Sequence, residues 1–311
     1  MRRPRVILAA LLAAAAAVPV EAAGDWRAET AAPEPRTEVV AAPAFGGIAV
    51  VGGYLADGTT TARVDLYDPA RRTWSSLPDL PQPVNHAMAA GAGDRLYVAG
   101  GYTGAGPSTA RAFVLGPEGR WRELPRMPGP RAAGGAAFVG RRLYVMGGVR
   151  ASSADLAPQA FVYDPERVRW QSLPGPPTRR EHLGVAALGG RIYVLGGRIG
   201  GLDRNLPTAE AFDVRTRRWI RLPPMPTPRG GTSAAAAAGL VVSVGGEGPQ
   251  GTYRQAEAYE PATRRWRSLP QDPEPRHGLG VAASGRRVYA LLGGPTPGLS
   301  ASDTALSIDP R

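Results

Sequence analysis

Apolar and polar positions alternate along this chain in short runs that return on one period. The clearest example spans residues 181–222. LGVAAL is an almost continuous apolar strand, as expected of a strand covered on both faces. Gly189-Gly190 follows as a tight hairpin turn that needs positive φ. IYVLGG is a second strand, whose glycine pair lets neighbouring backbone come close. After a variable loop, TAEAFDV predicts a third strand. RRWIRL predicts a fourth, stopped by Pro223-Pro224, which cannot continue a ladder. One such four-stranded sheet has too little core to stand alone.

The unit recurs six times. Trp26, Trp74, Trp121, Trp170, Trp219 and Trp266 are spaced 48, 47, 49, 49 and 47 residues apart. The glycine pairs beginning at Gly52, Gly100, Gly147, Gly196, Gly245 and Gly293 follow at 48, 47, 49, 49 and 48. Two independent markers with one period, in a Gly-rich and β-branched background, predict stacked sheets around an axis. The turns Tyr67-Asp68-Pro69, Tyr163-Asp164-Pro165 and Tyr259-Glu260-Pro261 recur after the third strand, where the acidic side chain caps the turn and proline fixes φ. Each tryptophan is expected to pack its flat ring between neighbouring sheets.

A glycine pair after an apolar strand, then a tyrosine and a tryptophan in the next two strands, resembles the kelch repeat over nearly all of residues 23–311. That resemblance implies an all-β fold, a six-bladed β-propeller of four-stranded antiparallel blades. Leu115-Gly116-Pro117 departs from the Tyr-Asp-Pro turn, and LVVSVGG lacks the tyrosine of the second strand. The last unit ends without a tryptophan, whereas Trp26 precedes the first unit. The expected closure is an N-terminal strand around Trp26 that completes the last blade and removes an unpaired edge.

Residues 1–22 read as a signal peptide: Arg2, Arg3 and Arg5, an uncharged apolar stretch from Val6 to Val18, then Val20-Glu21-Ala22 at the cleavage position. Residues 23–311 are then a single domain, periplasmic or secreted, with no membrane span and expected to be a monomer. With no cysteine, disulfides, thiolate metal sites and cysteine nucleophiles are excluded. The formal charge is +11, carried by arginine with no lysine, and removing residues 1–22 leaves +9. The arginines are spread over turns such as Arg71-Arg72, Arg141-Arg142, Arg217-Arg218 and Arg264-Arg265. Nucleic acid is therefore not the expected partner.

Ten residues after each tryptophan stand Arg36, Val84, Arg131, Arg180, Arg229 and Arg276. Rotational repetition makes this column a ring at one mouth of the central channel, on the face that also carries the loops after each glycine pair. Two roles are open for it: locking neighbouring blades, or holding an anion in bidentate geometry. His86 and His182 lie two residues beyond the column, with Glu38 as their counterpart in the first unit, and His277 follows Arg276. Glu247 follows the fifth glycine pair. Together these ten residues (five Arg, three His and two Glu) are the candidate ligand-binding set, able to bind or to move a proton. Catalytic roles are unassigned. No metal-ligand spacing, phosphate loop or nucleophile motif occurs, so neither metal nor cofactor is expected.

Kelch domains are most often interaction scaffolds, so the resemblance implies an exported binding module with a protein partner at this face. The alternative follows from similarity to exported bacterial six-bladed kelch propellers that include an N-acetylneuraminate epimerase (mutarotase). In that reading the arginines hold the carboxylate of a small acidic carbohydrate while Glu247, Glu38 or His182 exchanges the anomeric proton. A copper radical site like that of galactose oxidase needs a cysteine cross-linked to tyrosine, and the absence of cysteine speaks against it.

Overall fold

Each repeat folds into one four-stranded antiparallel sheet, and six such sheets stand around a central channel. The computed structural model describes residues 25–104 and 106–311; the signal-peptide reading falls on residues 1–22, outside the described residues. From inner to outer strand, blade I runs from Val40–Ala44 to Thr73–Leu77 and blade II from Met88–Gly91 to Trp121–Glu123. Blade III runs from Gly135–Val139 to Arg169–Pro174 and blade IV from Gly184–Leu188 to Arg218–Arg221. Blade V runs from Ser233–Ala237 to Arg265–Ser268. Blade VI holds Gly280–Ser284, Arg287–Gly293 and Ser302–Ile308, and its outer strand is Trp26–Ala28. The register Trp26↔Ile308, Arg27↔Ser307 and Ala28↔Leu306 shows the expected closure by the N-terminal strand. Among the described residues no helix is long and apolar enough to cross a membrane.

The core lies between blades rather than within them. Each of the six clusters of buried apolar side chains spans two successive blades. Ala49 and Val51 of blade I meet Val98 and Phe113 of blade II, and Ile48 and Tyr67 of blade I meet Tyr289 and Leu291 of blade VI. This is why a single repeat cannot fold alone: half of its apolar surface belongs to each neighbour. The inner strands are rich in alanine and glycine because they converge. A Cβ on Gly91 would lie 1.7 Å from the carbonyl oxygen of Pro43 in the neighbouring blade.

Two belts of hydrogen bonds tie the blades into a ring. On the outside, every tryptophan indole N–H donates to a backbone carbonyl of the preceding blade's outer strand or just after it: Trp74 to Thr30, Trp121 to Pro78, Trp170 to Pro125, Trp219 to Pro174 and Trp266 to Pro223, at 2.8–3.1 Å. Trp26 closes this belt on Pro270 at 2.9 Å. The indoles also lean on the aromatic residue opposite them, as in Tyr67–Trp74 at 5.0 Å and Phe212–Trp219 at 5.3 Å between ring centres. On the inside, the residue twelve after each tryptophan links to the equivalent residue of the previous blade. His86 N–H donates to Glu38 O, Ala133 to His86, His182 to Ala133, Gly231 to His182 and Gly278 to Gly231, at 2.8–3.0 Å. Val39 N–H closes that circle on Gly278 O at 3.1 Å.

One marker shifts. The first five glycine pairs have positive φ at both residues, but in blade VI the pair with that backbone is Leu292-Gly293, at φ 58° and 104°. His277 bridges to Gly294 as Asn85 does to Tyr102 and Glu181 to Arg198, which fixes the alignment. The last unit is therefore one residue shorter than Gly293-Gly294 implied, and the second-strand spacing matches the tryptophan spacing throughout.

The seam is held by Glu29, whose side chain is fully enclosed. It accepts hydrogen bonds from Tyr67 Oη and Ser307 Oγ, both at 2.6 Å, and from Arg72 Nε at 2.9 Å, so it joins blades I and VI. Burial alone would raise its pKa, but the bonds from Ser307, Tyr67 and Arg27 outweigh burial and hold the carboxyl below its ordinary value. The stabilisation is thus present above the unfolded carboxylate range and fades as pH falls through the folded value. Glu29→Gln is expected to cost about 1–3 kcal/mol in chemical denaturation near neutral pH. The gap to the parent should narrow on acidification. Deletion of residues 23–32 should lower the melting temperature by at least about 5 °C; an unchanged value would mean that the seam closes without this strand.

Candidate functional site at the channel mouth

The arginine column does not face the channel. Arg36, Arg131, Arg180, Arg229 and Arg276 are at most 1% exposed, among the largest buried side chains of the protein. Each guanidinium donates to the carbonyl of the first residue of its blade's left-handed pair. The partners are Gly52 at 3.1 Å, Gly147 at 2.8 Å, Gly196 at 2.6 Å, Gly245 at 3.2 Å and Leu292 at 2.9 Å. Three of them also meet a carboxylate of the third strand: Arg36 with Asp65 at 2.7 Å, Arg180 with Glu210 at 2.6 Å and Arg229 with Glu257 at 3.0 Å. Arg276 has Asp272 at 3.7 Å instead, and Arg131 lies 4.4 Å over the ring of Phe161. Burial pushes both Arg131 and the carboxylate-paired Arg36 down to about 10. Of the two roles open for this column, the geometry gives the first: the arginines pin the start of the second-to-third loop to the blade. That corrects the expectation that they line the mouth, and with it the premise of an arginine-lined anion pocket.

What lines the mouth is the inner belt and the layer above it. Six residues with left-handed backbone form the belt: Glu38, His86, Ala133 and His182 at φ 51–53°, with Gly231 and Gly278 at 69° and 55°. Ala133 shares this backbone, so the conformation belongs to the ring rather than to the chemistry. The side chains placed on it are the informative part. His86 Nε2 lies 3.0 Å from His182 Nε2 and 3.1 Å from Glu38 Oε2. His182 Nδ1 donates to Glu181, and Arg198 holds Glu181 at 3.1 Å and Glu247 at 2.8 Å. Glu247 stands 3.6 Å from His277 Nδ1, which is 3.2 Å from Glu38. Seven side chains thus form one closed circuit: His86, His182, Glu181, Arg198, Glu247, His277, Glu38 and back to His86. It contains every histidine of the chain.

Electrostatics in this circuit are set by burial against pairing. Burial would raise Glu38, but His86, His277 and His182 outweigh it and keep the carboxyl well below its ordinary range. For His86 burial outweighs Glu38 and pushes the imidazole down to about 4. For His277 burial is overcome by Glu38 and Glu247, which raise it. Below the mouth the bore is lined by the alanines and glycines of the inner strands, among them Ala41, Ala89, Ala136 and Ala234.

A family model for the KLHDC2/KLHL20/DRC7 kelch-repeats domain matches residues 24–197 and 134–306. The chain belongs to the kelch-repeat family. A comparison with curated proteins found no match. The kelch match covers all six blades, as the six four-stranded sheets require.

Within this kelch domain, Glu38, His86 and His182 line the mouth, Glu247 and His277 are buried against them, and the five arginines sit inside the blades. Sequence reasoning left Glu181, Arg198 and Asn85 out of the site. Their signal was positional: Asn85, Glu181 and His277 all stand eleven residues after a tryptophan, and Arg198 and Glu247 both directly follow a glycine pair. The arginine lock is expected to show in stability. Arg180→Met leaves Glu210 buried without its cation and should cost about 3–5 kcal/mol in urea denaturation. Arg131→Met orphans no carboxylate and should cost clearly less; equal losses would refute the pairing.

Proposed function

We propose that this kelch domain is an exported binding module that receives a protein partner at the channel mouth and the loops following the left-handed pairs. Residues 1–22 would carry it to the periplasm or beyond, and it would act as a monomer. The single observation behind this reading is the circuit of three histidines, three glutamates and Arg198 gathered at one mouth. A sixfold scaffold has no structural need for it, since Ala133, Gly231 and Gly278 complete the same belt without functional side chains. Membership of the kelch family supports a binding role. The opposite face carries short hairpins and paired turns such as Arg141–Glu166 and Arg71–Asp68.

The reading is tested by panning a random peptide display library against the domain and re-measuring the selected peptides on variants. Glu38→Gln and His182→Ala should weaken them by at least about tenfold, and Arg141→Ala on the far face should not. Peptides indifferent to the mouth variants would move the contact surface elsewhere. Anomer exchange of N-acetylneuraminate, followed by NMR, should match the uncatalysed rate; a catalysed rate would replace binding with enzymatic turnover.

A further inference from the structure

The mouth circuit holds a second layer of order that a docking surface does not need. We propose that Glu38, His86 and His182 bind one divalent first-row transition ion, with zinc as the fitting choice, at the channel mouth. The three come from blades I, II and IV, so no local spacing in the sequence announces them. Their donor atoms lie within 4.8 Å of one another, and the closest pairs are at 3.0 and 3.1 Å. Ligands bound tetrahedrally at 2.0–2.1 Å would be roughly 3.3 Å apart, so the two close pairs need to open only by tenths of an ångström, and the third pair already lies within 4.8 Å.

The tautomers make the case. His86 Nδ1 faces the amide oxygen of Asn85 at 2.6 Å, an atom that can only accept, so Nδ1 carries the proton. His182 Nδ1 faces the Glu181 carboxylate, which likewise only accepts. With both Nδ1 atoms facing acceptors, the Nε2 atoms are the ones left to coordinate, and they point at each other and at a carboxylate oxygen. Two imidazole nitrogens and a carboxylate oxygen converging in this way are a donor set that a cation can occupy. Each imidazole also has its own outer partner, Asn85 for His86 and Glu181 for His182, and His277 stands 3.2 Å from the second oxygen of Glu38. Such partners fix ring orientation and tautomer in metal sites. Tyr54 and Tyr102 further set His86 edge-on at 6.0 and 5.5 Å. A second observation concerns the residue behind Glu38. His277 is 1% exposed and aimed into the cluster, yet neither ring nitrogen has a well-directed hydrogen bond. Small residues at Ala133, Gly231 and Gly278 leave the channel side open for a water or a partner's donor atom.

The test uses tag-free protein stripped with chelator, so that the chain's three histidines are the only imidazoles present. Cobalt(II) should bind at one equivalent with the visible bands of a low-symmetry nitrogen-containing site, and zinc should displace it. His86→Ala and His182→Ala place at the belt a residue it already uses at position 133, so folding is preserved; each should lower affinity at least about 100-fold. Asn85→Ala and Glu181→Gln should lower it by about 10–100-fold while keeping the stoichiometry. Arg141→Ala should bind as the parent does. No uptake by the parent, or uptake indifferent to both histidine variants, overturns the proposal and leaves a shared proton as the cation. The result does not depend on whether a protein partner binds, because peptide selection and metal uptake are read separately.

Discussion

Closure of the ring is the constraint on which the rest of this structure depends. Six sheets with their cores between them have no stable partial form, because an end blade would expose half of its apolar surface and an unpaired strand edge. The inner belt of backbone hydrogen bonds meets this demand with one N–H per blade, each reaching the carbonyl of its neighbour, and Val39 completes the circle on Gly278. The geometry requires left-handed backbone at all six positions, including three that carry Glu or His instead of glycine. The outer belt of indoles repeats the solution at larger radius, and Trp26 closes it. Both belts pass through the N-terminal segment, so the earliest described residues hold the last blade.

The arginine column shows how strictly a buried charge must be answered. Within one chain the six blades act as six trials of the same position. Arg36, Arg180 and Arg229 face Asp65, Glu210 and Glu257. Phe161 fills the carboxylate position opposite Arg131, and the guanidinium stacks on its face. In blade II the column residue is Val84, and the position opposite it is the apolar Phe113 of the same cluster. Leu306 stands there in blade VI, and Asp272 on the preceding linker supplies the anion for Arg276. The lock does not need an anion in every blade: Arg131 keeps it on two backbone carbonyls and the Phe161 ring, whereas blade II gives it up for Val84.

Much of the fold was legible because period is a property of spacing alone. The tryptophan and glycine intervals gave six blades, and the unmatched Trp26 gave the closing strand. The one slip came from chemistry standing in for conformation: Gly293-Gly294 looks like the other pairs, but Leu292 takes the left-handed position. The site was half legible. Counting from tryptophan found Glu38, His86 and His182 because the belt puts equivalent residues at equivalent radius. It misassigned the arginines because spacing says which side chains share a ring and not whether they turn toward the axis or into the blade. Glu181 and Arg198 escaped because each gains meaning only from its neighbour across the bridge that pairs them.

The scaffold and the site are distinguished by where the sixfold pattern fails. The belt reads Glu, His, Ala, His, Gly, Gly in order around the channel, and the omissions are as directed as the side chains. A Cβ on Gly278 would come within 2.6 Å of Glu38 Oε1, and one on Gly231 within 3.1 Å of Glu247 Cγ. The two glutamates lean into the room that the two glycines leave, and from there they reach His277 between them. Positive φ alone would not demand glycine, since four other residues accept it at the same station. Glycine at 231 and 278 leaves the space that the glutamates beside them occupy, so the empty positions of the belt are part of the site they surround.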